Sequence, residues 1–228
     1  MKYIKCAYIF IFGLSLLCRI EAQETKVIRD FRLITEVGVE KKLLRSWKVS
    51  FETILKLERN ASRLDEMDFD LDVEYKPIRY VSLGTGYRFA MNKNTDGNIV
   101  PKHRYMGNIN LEYDIKRFEL EYRFRYQNID DDFFLYENMN APKNILRNRL
   151  RIKYDIPRSK LTPYLFSELY GNLDKNKPFA FKIKSGIGAR YNLKRFGQLK
   201  LYYRIDRELN APHPFTYFIL GAGYSYDF

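Results

Sequence analysis

The chain has 228 residues, of which 30% are charged, and a formal net charge of +12. After the N-terminal stretch, no apolar run is long enough for a membrane-spanning helix. Its 19 tyrosines and 17 phenylalanines stand against only 12 glycines and 8 prolines. This aromatic content favours strands and interfacial aromatic girdles over helices or disorder.

The N-terminal stretch has the features of a cleaved signal peptide. Two lysines give a basic start, residues 7–17 form an apolar run too short to span a bilayer, and Ala22 is a small residue before a suitable cleavage point. We therefore predict a signal peptide at residues 1–22 and one exported domain at residues 23–228. Removing the signal peptide takes away three cations and one acid, so the net charge falls from +12 to +10.

Both cysteines, Cys6 and Cys18, lie in the predicted signal peptide. The mature protein is therefore expected to have neither a disulfide nor a thiolate metal site. Leu17 is too bulky for the position before a lipidated cysteine, so lipidation of Cys18 is not predicted.

From Phe31 to the C-terminus, apolar and polar residues alternate in runs of strand length. The run at 47–58 alternates almost strictly, which is typical of a strand with two different faces. The run at 161–170 carries apolar residues on both faces, so its outward side stays unassigned. In chain order, the eleven runs are 31–40, 47–58, 64–75, 80–91, 105–113, 118–127, 146–154, 161–170, 181–193, 199–209 and 216–228.

The last run ends the chain on an aromatic residue. One of its faces carries Phe218, Leu220, Ala222, Tyr224, Tyr226 and Phe228. A strand of this length spans a bilayer when it is tilted, which places its aromatic end at the interface. Sequences that end in this way resemble bacterial outer-membrane barrels, whose terminal aromatic strand is read by the assembly machinery. The resemblance implies an assembly signal at Tyr224, Tyr226 and Phe228.

Short and longer connections alternate between the runs. The short connections are 41–46, 76–79, 114–117, 156–160 and 194–198. The longest predicted loops are 92–102 and 128–144. Outer-membrane barrels have the same asymmetry, with short periplasmic turns and longer outer loops.

A barrel chain that enters and leaves on the periplasmic side needs an even number of strands. The last run would end on the periplasmic side. Because the eleven runs alternate in direction, the run at 31–40 would also have to run toward the periplasm. Either residues 25–30 form a short additional strand, or the N-terminal segment threads the lumen. We predict an all-β, antiparallel up-and-down transmembrane β-barrel of about twelve strands, with about ten as the fallback if two weak runs merge.

Four stretches of these runs resemble a known family: LGTGYR at 83–88, the basic stretch at 147–154, TPYLFSEL at 162–169 and GIGARY at 186–191. They are similar to stretches of small outer-membrane barrel proteins of Gram-negative bacteria, grouped as a domain-of-unknown-function family with the placeholder number 2490. The likeness covers essentially the whole mature chain. It implies the barrel fold and the outer membrane, and it implies no catalytic residues, because the family has none assigned.

Two runs have a polar face of a single charge sign. The run at 64–75 carries five acids in a row, and the run at 146–154 carries four cations in a row. Charge on the lipid face of a barrel costs about 2–4 kcal/mol per Lys or Arg at the midplane, so both rows are expected to point into the lumen. The candidate lumen charges are Glu66, Asp68, Asp70, Asp72, Glu74, Arg123, Arg125, Arg147, Arg149, Arg151, Lys153, Lys182 and Lys184.

The charged rows have two interpretations. They can line a small pore and select ions, or they can neutralise one another and plug a narrow lumen without any ligand. The plug is favoured, because side chains tend to fill the interiors of small barrels. A metal ion on the aspartate row is a further alternative, since hard cations take carboxylate oxygens. Charge pairing is favoured over it, so no metal site and no cofactor is predicted.

The two histidines raise the alternative of an enzyme. His103 and His213 could act as bases in a barrel hydrolase of envelope lipids, which would need a serine near the rim. No serine lies beside either histidine in the sequence, and histidines in loops are usually solvated. We therefore predict no enzyme.

Each of the five short connections carries Lys or Arg, whereas the loop at 128–144 carries several acids. The basic connections indicate contact with anionic headgroups of the inner leaflet. The simpler explanation is that turns need solvated residues.

The sequence thus predicts an outer-membrane barrel, structural or transport-like, with a charge-lined and mostly occluded lumen. The alternatives are a barrel enzyme of the acyl hydrolase type and a soluble periplasmic barrel that binds a lipophilic ligand, because a two-residue period does not reveal which face is inside. The expected partners are outer-membrane lipids and the barrel-assembly machinery, through the C-terminal strand. The protein is expected to be a monomer that binds no nucleic acid.

Overall fold

Strands make up almost all of the regular structure in the residues that the structure describes. The computed structural model describes residues 28–93, 98–130, 144–174 and 178–228, so the predicted signal peptide lies outside the described residues. Among the residues it describes, no helix is long and apolar enough to cross a membrane. Within these ranges, the strands form one closed barrel. They are β1 (Ile28–Leu44), β2 (Trp47–Glu58), β3 (Arg63–Ile78), β4 (Val81–Lys93), β5 (Ile99–Ile115), β6 (Phe118–Asp130), β7 (Asn144–Tyr154), β8 (Leu161–Asn172), β9 (Ala180–Asn192), β10 (Gln198–Glu208) and β11 (Phe215–Asp227).

The barrel closes between its first and last strands. Strands that follow one another along the chain pair in antiparallel fashion. Strands β1 and β11 pair in parallel, from Ile28 opposite Phe215 to Glu40 opposite Asp227. An odd number of alternately directed strands leaves the first and the last pointing the same way, so this pair can close the barrel only in parallel. We call the β1–β11 pair the seam.

The predicted all-β barrel is confirmed, and the eleven described strands lie within the expected range of ten to twelve. The seam is the one departure from the antiparallel pattern, because in the described residues no further strand lies between β1 and β11. Ile28 to Asp30, part of the additional strand considered from the sequence, are the beginning of β1. Both strands of the seam run toward the same end of the barrel, as expected of the first and last runs.

The barrel has two different ends. We call the end with the connections 45–46, 79–80, 116–117, 155–160 and 193–197 the turn rim, and the opposite end the loop rim. At the loop rim the strands are longer than predicted. Strand β4 reaches Lys93 and β5 begins at Ile99, so much of the loop predicted at 92–102 is strand. Strand β6 likewise reaches Asp130. Paired strands can continue in this way because each added residue satisfies its backbone hydrogen-bonding groups.

Alternation sorts the side chains into an apolar outer face and a charged inner face. Large exposed hydrophobic residues, among them Phe51, Leu71 and Leu201, cover the outside. Buried acids and a buried guanidinium group, among them Asp68 and Arg125, lie inside. This is the reverse of the arrangement in soluble proteins, where apolar side chains collect inside.

A small apolar cluster fills one side of the interior. Its buried members are Ile34, Ile54, Tyr164, Tyr202 and Ile219. The rings of both tyrosines occupy space left by glycines, because an added Cβ at Gly188 would collide with Tyr164 and one at Gly221 with Tyr202. The cluster also settles the orientation of β8, which the sequence left unassigned: Tyr164, Glu168 and Tyr170 point inward.

Candidate functional site

The acidic row of β3 lies between cations of the neighbouring strands. Lys56 of β2 donates hydrogen bonds to Glu66 and Asp68 over 2.8 and 2.7 Å. Arg88 of β4 donates to Asp68 over 2.9 Å and to Asp70 over 2.5 Å. The guanidinium group of Arg104 on β5 lies 3.0 Å from Glu66. Most of this row is therefore neutralised by adjacent strands.

The remaining acids of the row, Asp72 and Glu74, lie closer to the turn rim and line the interior there. The Asn110 amide is 3.5 Å from the Glu74 carboxylate. Asp72 lies over Gly86, where an added Cβ would collide with its carboxylate oxygen. A glycine at position 86 thus leaves room for the Asp72 carboxylate.

On the basic side of the interior, Glu168 of β8 is the central acid. Its carboxylate accepts hydrogen bonds from Arg147 over 3.1 and 3.2 Å and from Arg123 over 2.9 Å. Glu168 is only 4% exposed. Hydrogen bonds between ionised partners are stronger than neutral ones, so this carboxylate holds two guanidinium groups in place.

The basic row continues toward the turn rim with a second group of ion pairs. Glu121 of β6 pairs with Arg151 over 3.2 Å and with Lys153. Lys153 also lies 3.2 Å from Glu119. These cations are compensated by acids of the adjacent strand β6.

Two arginines of the basic side are compensated poorly. Arg125 donates from Nε to the Asn108 side chain, and its Nη1 lies 3.1 Å from the sulfur of Met106. Both of these partners are neutral. Arg149 has no hydrogen-bond or ion-pair partner in the described parts of the chain, and its Nε atom is buried without an acceptor.

On β9, Lys184 lies 3.4 Å from Asp206, and the same carboxylate lies 2.6 Å from Arg204. Lys182 faces the interior near the loop rim. All the candidate lumen charges thus lie on the interior side of the barrel. In the described residues no ion pair joins β3 to β7. The acidic row and the basic row therefore do not pair with each other.

Several of the partner residues were not singled out from the sequence. Lys56 and Arg88 do lie on the polar faces of their runs, so alternation could have identified them. Glu168 was hidden in the run whose faces could not be assigned. Glu36 pairs with Lys200, which is distant in sequence and is brought close only by closure of the barrel at the seam.

In the described part of the chain, two adjoining cavities lie in the barrel interior. The cavity on the loop-rim side has a volume of about 540 Å³, and the cavity on the turn-rim side has a volume of about 410 Å³. Five residues line both cavities and therefore mark the partition between them. These partition residues are Asp72, Arg123, Arg125, Arg149 and Arg151.

The histidines lie outside this interior. His103 shares a short hydrogen bond of 2.6 Å with the Tyr87 hydroxyl, and its ring packs 5.4 Å from that of Phe89. His213 is exposed in the connection between β10 and β11. In the described ranges, no serine hydroxyl contacts either histidine, and no group of acids, histidines or cysteines is arranged to hold a metal ion.

The turn rim combines aromatic side chains with an exposed basic edge. Aromatic rings pack in pairs there, with Trp47 at 4.7 Å from Tyr75 and Phe118 at 5.0 Å from Tyr154. The exposed cations at and next to the turn connections are Lys41, Lys42, Arg45, Arg79, Lys116, Arg117, Arg158, Lys160, Lys194 and Arg195. Such a ring of aromatic residues is typical of the interface region of a membrane barrel.

The chain is similar to several solved structures. One, from work on the mechanism behind the in-meso crystallization of membrane proteins, is 11% identical with a TM-score of 0.39, and 76% of each chain is covered. OccAB4 of Acinetobacter baumannii is 8% identical with a TM-score of 0.38, covering 75% of this chain and 48% of that one. OccK5 (OpdH) of Pseudomonas aeruginosa is 15% identical with a TM-score of 0.38, covering 78% of this chain and 53% of that one. The chain thus spans about half the length of the two Occ proteins. Likenesses this low transfer no function.

None of the curated proteins matches the sequence. A family described as "Protein of unknown function (DUF2490)" matches residues 31–215. The match extends from β1 to the first residue of β11 and includes every candidate lumen charge. The chain therefore belongs to the DUF2490 family, as the resemblance of its strand motifs implies.

Proposed function

We propose that the protein is a transmembrane barrel of the bacterial outer membrane that gives small hydrophilic solutes a narrow, charge-lined path. The observation that carries this proposal is the apolar outer face around a charged interior. Lipid stabilises an apolar outer face, whereas the interior charges need water or ion-pair partners. A soluble barrel for a lipophilic ligand would need the reverse arrangement, with an apolar interior and a polar outside.

The described strands have 11 to 17 residues, and about 9–11 tilted residues are enough to span the hydrocarbon core. Each strand is therefore long enough to cross the membrane, and the longer strands can extend beyond it. The turn rim, with its short connections, would face the periplasm, and its aromatic side chains would lie at the interface. Its exposed cations would then contact anionic headgroups of the inner leaflet. We expect a monomer that is inserted by the barrel-assembly machinery.

The path for solutes would run through the two interior cavities, which meet at the partition residues. The apolar cluster on the opposite side of the interior narrows the lumen further. A small solute would therefore pass close to guanidinium groups on one side and to Asp72 on the other. In such a constriction, the charge of the lining residues determines which ions pass.

The test is single-channel conductance of the detergent-folded protein in a planar bilayer. We expect small, discrete, salt-dependent current steps. Asp72 is the acid among the partition residues, so Asp72→Asn should shift the reversal potential in a salt gradient toward anion preference. The matched control is Asp114→Asn, which removes the same charge from an exposed position at the turn rim and should leave the reversal potential unchanged. Silence from protein whose strand content and heat-modifiable mobility prove it folded would overturn the proposed path.

A further inference from the structure

We propose that Arg123, Arg149 and Arg151 form a binding site for the oxyanion group, a phosphate or a carboxylate, of a small solute. The site lies in the barrel interior at the partition between the two cavities. This inference rests on the proposed function only for the access of the solute to the lumen. It adds the chemical class that the interior recognises.

The first argument is the charge balance on the interior faces of β6, β7 and β8, which we call the basic wall. Three acids lie on this wall: Glu119, Glu121 and Glu168. Six cations lie on the same wall: Arg123, Arg125, Arg147, Arg149, Arg151 and Lys153. Asp72 of β3 lines the same partition and offsets one of these cations. Partly buried charges without partners are unfavourable, so the remaining excess of positive charge favours a bound anion.

The strand register concentrates this excess at Arg149. Arg149 lies directly opposite Arg123 in the β6–β7 pair, and like charges in facing positions repel each other. Its register partner on the other side is Glu168, but that carboxylate is hydrogen-bonded to Arg123 and Arg147. The protein thus places an acid beside Arg149 without pairing the two.

The second argument is independent of net charge and concerns hydrogen-bond donors. The Nε atoms of Arg123, Arg149 and Arg151 are all buried without an acceptor. Buried donors are normally satisfied. The Nε atoms of Arg104 and Arg204 also lack an acceptor, but these two residues lie singly on β5 and β10, whereas the three arginines lie together on the adjoining strands β6 and β7 and can offer their donors to one acceptor group. A phosphate or carboxylate group offers several acceptor oxygens in a geometry that matches guanidinium groups.

The surroundings limit what else the solute can carry. The loop-side cavity of about 540 Å³ reaches from the three arginines to the apolar cluster, where Tyr164 and Ile219 line it. The body of a small solute can therefore extend over partly apolar surface while its oxyanion group remains at the arginines. Asp72 lies across from this wall on β3, so it opposes solutes with a second anionic group.

The experiment is isothermal titration calorimetry of the folded mature protein in detergent, with inorganic phosphate and acetate as separate probes. Chloride is used to keep the ionic strength constant. We expect saturable binding that Arg149→Gln weakens by about tenfold or more, the effect of losing one charge-assisted hydrogen bond. Arg149→Lys keeps the charge without the planar fork and should bind with intermediate affinity.

The control is Lys48→Gln, which also removes an interior cation. Lys48 lines the turn-side cavity as the arginines do, but it lies on β2, which does not neighbour β6 or β7, and it pairs with Glu40 over 3.2 Å. This variant should bind both probes as the unaltered protein does. Competition between the probes then decides whether phosphate or carboxylate is preferred.

No saturable binding of either probe, or an Arg149→Gln variant that binds as tightly as the unaltered protein, would overturn the site. The titration does not depend on conduction. A bilayer that stays silent while phosphate binding is lost in Arg149→Gln would therefore reject the path and support the site. Current steps without saturable binding would do the opposite.

Discussion

Glu168 illustrates how single residues balance charge inside the barrel. One carboxylate that is almost fully buried accepts hydrogen bonds from two arginines of different strands. Removing one partner of a buried ion cluster is much more costly than removing the whole cluster, because the remaining charges lose compensation. Glu168 should therefore matter more to stability than an exposed acid in an ion pair.

We expect Glu168→Gln to lower the free energy of unfolding by roughly 3 kcal/mol, since it leaves Arg123 and Arg147 without a counter-charge while keeping the side-chain shape. The measurement is urea unfolding in detergent, followed by the fluorescence of Trp47, the single tryptophan. Asp114→Asn is the control: its pair with Arg79 is exposed, so the change should cost less than about 1 kcal/mol. Equal losses in the two variants would contradict the central role of Glu168.

At the level of elements, the seam distinguishes this barrel from an antiparallel barrel with an even number of strands. Thr35 of β1 and Ala222 of β11 are exposed register partners across it. Directly paired residues on neighbouring strands have Cα atoms about 5 Å apart, within the range that a disulfide can bridge. A further strand between β1 and β11 would separate them by about 10 Å.

The double variant Thr35→Cys with Ala222→Cys should therefore form an intramolecular disulfide on mild oxidation. The measurement is the mobility of the unfolded protein on a non-reducing gel. The cysteines of the precursor do not interfere if the predicted signal peptide is removed. Thr35→Cys with Leu220→Cys is the control, because partners two residues out of register lie about 7–8 Å apart, beyond the reach of a disulfide. Cross-linking of neither pair, or of both equally, would argue against the parallel seam.

For the molecule as a whole, alternation along the sequence was enough to predict the barrel but not its closure. The run at 47–58 coincides with β2, because a strict two-residue period reports both faces of a strand. The period says nothing about which strands pair across the ends of the chain. The parallel seam and the Glu36–Lys200 ion pair across it therefore could not be predicted.

Part of the candidate site could also be predicted from the sequence. The sequence alone was enough to predict that the charged rows point inward, because lipid excludes charge. Which charges lack a partner depends on register across several strands. Arg149 and Arg151 look alike in the sequence, yet the structure pairs Arg151 with Glu121 and leaves Arg149 without a counter-ion in the described residues.

The last prediction concerns insertion of the whole chain. Phe228 is 71% exposed at the turn rim, where its ring packs edge-on against Tyr226 at 4.9 Å. A residue this exposed contributes little packing to the folded barrel, so its expected role is recognition by the assembly machinery. Phe228→Ser should then lower the amount of heat-modifiable protein in outer-membrane fractions while the purified variant still folds in detergent. The control is Phe196→Ser at the same rim, where an aromatic ring 73% exposed lies outside the terminal strand. If the two variants lose the same yield, or if Phe228→Ser also fails to fold in detergent, Phe228 acts as an anchor or a packing residue and not as an assembly signal.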